Sequence, residues 1–106
     1  MNWNYISGFF DADGSITLAK PNKSKLKTVY LSFHNNERVI LEAIRDFIEL
    51  KTGAKGVIIS KAAKSKNQSI SYDLKYDYFP KVFSIVTKLS VQHPKKKHRI
   101  DIAKRI

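Results

Sequence analysis

The chain has 106 residues, enough for one domain around one modest core, and 42% of them are hydrophobic, which excludes a disordered polyelectrolyte. No cysteine is present, so disulfides, thiolate metal sites and cysteine nucleophiles are excluded. With 20 basic residues against 9 acidic ones the net charge is +11, a field that gathers polyanions and favours nucleic acid as partner. Residues 3–13 read as a short helix, with Tyr5, Ile6, Phe9 and Phe10 crowding one side and Gly14 as its stop. Ser15–Lys20 follows as a strand, then a turn at Pro21-Asn22. In Thr28–His34, Val29, Leu31 and Phe33 alternate with polar residues, the pattern of a half-buried strand. Asn36 is placed to cap a helix over residues 37–51, whose Ile40, Leu41, Ile44, Phe47 and Ile48 recur at helical spacing before Gly53. Gly56–Lys61 and Ser69–Tyr76 form a second hairpin. A third helix starts near Pro80 and uses Phe79, Val82, Phe83, Val86 and Leu89. Pro94 opens a last helix through Ile106, with Ile100 and Ala103 inward.

The expected fold is α+β over a single domain, residues 1–106, with a four-stranded antiparallel sheet. Amphipathic helices cover one face and leave the other polar. Such a face on a basic protein is suited to a DNA groove, although a merely solvated sheet face has the same pattern. An anionic membrane is the rival polyanion. No long basic amphipathic helix, signal-peptide pattern or bilayer-length apolar run supports it, so a soluble intracellular protein is expected.

The chemistry concentrates in Asp11-Ala12-Asp13-Gly14. An EF-hand alignment puts Asp11, Asp13 and Gly14 at its third, fifth and sixth positions, but Phe9 and Lys20 then occupy its first and last. Neither ligates calcium, so that reading fails. A plain helix-ending turn stays open, although Asp13 at a helix C-terminus opposes the macrodipole unless something compensates. Pro94-Lys95-Lys96-Lys97-His98-Arg99 poses the reverse problem, cations at a helix N-terminus, and calls for an anionic neighbour. His34-Asn35-Asn36 lacks the partner histidine of an HNH nuclease, and His93 with His98 lacks a third zinc ligand.

Ile6-Ser7-Gly8-Phe9-Phe10-Asp11-Ala12-Asp13-Gly14, followed by Ser15-Ile16, resembles the signature of the LAGLIDADG homing endonucleases. It runs into a strand and precedes a ββαββα pattern similar to that family's core. Ile6-Ser7 stands in place of Leu-Ala, and Phe10 in place of a more frequent aliphatic residue. The resemblance implies an αββαββα fold whose open sheet face is a DNA-binding saddle, working as a homodimer. Ser7, Gly8 and Ala12 would let two copies of the first helix approach, with Asp11 hydrogen bonding at that interface. The implied activity is that of a site-specific endonuclease, associated with intron mobility, that cuts both strands of a long palindromic or pseudo-palindromic duplex. It would use Mg²⁺ or Mn²⁺ and leave 3′ overhangs.

By the same resemblance Asp13 is the metal ligand, assisted by the Ala12 carbonyl. Lys95, with Lys97 as substitute, would stabilise the charged transition state, and His34 would position solvent. Base readout falls to Ser15, Thr17, Thr28, Tyr30, Ser32, Lys61, Ser71, Asp73 and Lys75. The loop residues Asn22, Lys23, Lys25, Lys64 and Lys66 would extend over flanking phosphates. The faces of Val57–Ser60 stay unassigned, because that run is continuously apolar. Many single-motif relatives continue into further C-terminal helices, so stability is expected to lean on the dimer. The rival implication is a family member that binds nucleic acid without cutting, either an RNA-splicing maturase or a DNA-binding regulator. Keeping an acid at Asp13 favours cleavage.

Overall fold

Eight elements occur in the order α1 (Trp3–Asp13), β1 (Gly14–Ala19), β2 (Thr28–Asn35), α2 (Arg38–Thr52), β3 (Val57–Lys61), β4 (Ser71–Tyr76), α3 (Phe79–Val86) and α4 (Pro94–Lys104). They come from a computed structural model that describes residues 1–19, 28–61 and 70–104. The strands form one antiparallel sheet in the order β1-β2-β4-β3, so the two hairpins join through β2 and β4. α4 packs against β1, α3 against β2 and α2 against β4, all on the same face. The α+β class and the four-stranded sheet are as expected. Among the described residues no helix is long and apolar enough to cross a membrane.

Local chemistry accounts for most boundaries. The Asn2 side chain accepts from the Tyr5 N–H at 2.8 Å and starts α1, whose Ile6 and Phe10 are fully buried one turn apart. Gly14 ends it for want of space, since a Cβ there would lie 2.8 Å from the Phe10 Cα and 2.2 Å from its ring. Gly53 ends α2 in the left-handed conformation, at φ 76°, a region open to glycine.

Two expectations need correction. α2 is not capped by Asn36: Glu37 holds the cap position without a side-chain bond, and the Asn35 side chain accepts from the Glu37 N–H at 2.8 Å. The last residue of β2 thus makes the turn. Phe83 is not core but 40% exposed, because Val82, Ile85, Val86 and Leu89 turn the buried stripe a third of a circle away from it. Its ring rests on Phe79 instead, with centroids 5.9 Å apart.

Candidate nucleic-acid interface

Register decides which side chains share the open face of the sheet. Directly opposed residues lie side by side, which gives the rows Thr17–Tyr30, Ser15–Ser32–Lys75–Val57, His34–Asp73–Ile59 and Ser71–Lys61. The Ser15 and Ser32 hydroxyls meet at 2.7 Å. Thr17, Tyr30, Ser32, Lys75 and Asp73 line a concavity of about 630 Å³ together with Lys55, Val57, Ile59, Asp77 and Lys81. The sequence-derived readers Ser15, Thr17, Tyr30, Ser32, Lys61, Ser71 and Lys75 therefore fall on one surface. Thr28 pairs with Ala19 at the far end of the first hairpin. Asn22, Lys23, Lys25, Lys64 and Lys66 lie outside the described residues.

Asp73 is on this face but is not free to read a base. Only 5% exposed, it accepts from Lys61 Nζ at 2.7 Å through one oxygen and bonds His34 Nδ1 at 2.8 Å through the other. Burial pushes its pKa up, but the hydrogen bonds and charges of Lys61 and His34 outweigh burial and hold it below the ordinary value. An ionised carboxylate only accepts, so the proton of the shared bond sits on Nδ1 and leaves His34 Nε2 facing outward. The network spans β2, β4 and β3, and the strand pairing assembles it.

The acidic pair divides its labour. Asp11 accepts from the Gln92 N–H through both oxygens at 3.0 Å, and from the His93 N–H at 2.9 Å. Desolvation raises its pKa, but those backbone N–H groups and the Lys96 charge hold it below the ordinary value. This carboxylate stands at the N-terminus of α4 and is the anion that the basic run there calls for. The Asp11 oxygens, expected at a dimer seam, are engaged within the chain. Ser7, also expected at that seam, is engaged within the chain too. It is buried, donates to the Trp3 carbonyl at 2.8 Å and accepts from the Ser90 N–H at 2.9 Å, so it faces its own core.

Asp13, by contrast, is exposed at the C-terminal end of α1, with no hydrogen bond or ion pair to another described residue. The pair Gly14–Phe33 places it one step along from His34, at the same end of the sheet. The Ala12 carbonyl has no helical donor, since residue 16 already belongs to β1. The two carbonyls before it are taken by Lys96 Nζ, at 2.9 Å from Phe10 O and 2.8 Å from Asp11 O. The ammonium on the α1 terminus is thus Lys96, whereas Lys95 and Lys97 are exposed on α4. Sequence reasoning missed this residue. A helical phase set by Ile100 and Ala103 points to it, because Lys96 lies one turn before Ile100.

Together Asp13 and the Ala12 carbonyl offer hard oxygen donors. No group of three or more metal-ligating side chains occurs among the described residues. Beside Asp13 the residues Tyr5, Gly8 and Ala12 form an exposed stripe one helical turn apart, and a Cβ on Gly8 would meet nothing within 4 Å.

The sequence profile of the LAGLIDADG endonucleases matches residues 6–105. The structure is similar to an archaeal intron-encoded homing endonuclease, I-Vdi141I, complexed with DNA, at 22% identity and TM-score 0.67, covering 93% of this chain and 64% of that one. It is also similar to the LAGLIDADG meganuclease I-CpaMI bound to uncleaved DNA, at 16% identity and TM-score 0.67, covering 99% and 37%. A third similar structure is the homing endonuclease I-CvuI in complex with DNA in the presence of Mg, at 16% identity and TM-score 0.61, covering 94% and 64%. The chain thus spans less than two thirds of each of these three. No curated protein sequence matches it.

Proposed function

Because the chain belongs to the LAGLIDADG endonuclease family, we propose that it is a site-specific homing endonuclease acting as a homodimer on duplex DNA. Residues 1–106 would form a single domain whose two copies meet along the α1 stripe. The reading rests on one observation above all: Asp13 is exposed and without a partner among the described residues, beside that stripe and at the end of a lysine-lined sheet face. Two-fold symmetry about α1 brings two Asp13 carboxylates together over a palindromic or pseudo-palindromic site.

Asp13 and the Ala12 carbonyl would hold Mg²⁺ or Mn²⁺, with the partner carboxylate and phosphate oxygens completing the shell. The bound ion supplies Lewis-acid polarisation of the phosphodiester. The remaining work falls to the chain. His34, fixed by Asp73, presents Nε2 at the end of the face nearest Asp13 and orients water there. Lys96 keeps positive charge on the α1 terminus, with Lys95 and Lys97 in reserve on the same helix. Ser15, Thr17, Tyr30, Ser32 and Lys75 contact bases and phosphates along the rows. Cleavage of both strands leaves 3′ overhangs.

A plasmid library of candidate sites incubated with Mg²⁺ tests the proposal, and chelation should abolish the breaks. Asp13→Asn is expected to remove cleavage and spare binding; an active variant refutes the assigned role. Retained DNA binding with no double-strand break at any site would refute cleavage and leave a non-cleaving regulator. Selective RNA binding would point to a maturase.

A further inference from the structure

The open sheet face, expected to be polar, carries an apolar corner. Val57 and Ile59 stand on the outer side of the edge strand β3, 61% and 42% exposed, opposite Lys75 and Asp73. Tyr30, 45% exposed, turns into the same concavity from β2. A solvated face gains nothing from β-branched aliphatic residues there, and edge strands are ordinarily blunted with charge. The cations that line the concavity, Lys55, Lys75 and Lys81, suit a polyanion. In the major groove the apolar group that a base pair offers is the thymine C5-methyl.

We propose that Val57 and Ile59 read thymine methyl groups in each half-site, so that the β3 edge is a thymine-specificity element. Two residues along a strand advance about 6.6 Å. Two steps along one DNA strand advance about 6.8 Å. A β3 lying along the groove therefore meets methyl groups two base pairs apart. Lys75, directly opposite Val57 on the neighbouring strand, contacts the adjoining purine acceptors or phosphate. This inference rests on the reading of the sheet face as a duplex-DNA surface.

The test begins with a randomised duplex library selected on the whole chain. Each thymine of the enriched sequence is then replaced singly by uracil, which lacks only the methyl group. At two positions spaced by two base pairs the wild type should lose about fourfold in affinity, the worth of one methyl-sized group. 5-Bromouracil, whose bromine has about the bulk of a methyl, should restore it. Ile59→Ser should abolish the discrimination at one of the positions and Val57→Ser at the other. Both side chains are exposed, so the variants should keep the wild-type unfolding temperature, and the uracil series on the wild type stands without them. An enriched sequence that tolerates uracil everywhere overturns this inference alone, as do variants that keep the discrimination. A library with no enriched sequence overturns it together with the site-specific reading of the sheet.

Discussion

Asp73→Asn changes the size of the side chain little while removing the charge at the centre of a three-strand network. The side chain of Asp73 is 8% exposed and its oxygens lie 2.8 Å from His34 and 2.7 Å from Lys61. Hydrogen bonds to a buried charged group contribute roughly 1.5–3 kcal/mol each. His34 and Lys61 are about half exposed, however, and regain water when the carboxylate is lost. That draws each bond toward the ~0–1 kcal/mol of a surface pair, and asparagine keeps one of them. A net destabilisation of about 1–2 kcal/mol follows, read by urea unfolding at pH 7. The pH dependence has a definite sign. The pKa of Asp73 is lowered in the fold, so its contribution is complete above the ordinary value of 3.8 and is lost as the pH falls through the folded pKa. The gap between wild type and variant should therefore hold from pH 7 to pH 5 and narrow as the pH falls well below 3.8. Nitrogen NMR should show the His34 proton on Nδ1 in the wild type and redistributed in the variant. Equal stabilities at pH 7, or a gap unchanged at pH 2, would refute the network as described.

Three further substitutions probe separate parts of the fold. Tyr76 has a buried hydroxyl without a partner among the described residues, and burial raises its pKa far above the ordinary value. Tyr76→Phe should therefore raise stability by about 1 kcal/mol in thermal unfolding, and a loss would reveal an unseen partner. Gly14→Ala forces a Cβ to 2.8 Å from the Phe10 backbone, which cannot yield as a side-chain tip would. A cost of about 1–3 kcal/mol is expected, and a neutral result would contradict the packing of α1 on β1. A Cβ at Gly8 meets nothing within 4 Å among the described residues, so Gly8→Leu should match the wild type in circular dichroism while sedimentation shows a monomer. A persistent dimer would exclude the α1 stripe as the seam.

Periodicity along the chain was sufficient for the elements. α1 has the expected bounds, and Val29, Leu31 and Phe33 point inward as their alternation requires, because burial of one face imposes period 2 on a strand. The stretch Ile6–Ile16 likewise carried enough likeness to the LAGLIDADG signature to point to the family, which the profile match over residues 6–105 shows. What sequence reasoning could not supply was phase and partner. Val57-Ile58-Ile59 has no alternation, so its outer face emerges only when Val57 pairs with Lys75. Asp11 and Asp13 look equivalent in the chain, yet one caps a helix that begins more than eighty residues later and the other has no partner among the described residues. Lys96 was hidden between two lysines of the same type until α4 docked on the end of α1. Local patterning specifies which residues must be buried, because that cost is felt within each helix or strand. Which acid is satisfied and which remains free depends on contacts between distant segments, and these exist only after the sheet and helices have closed.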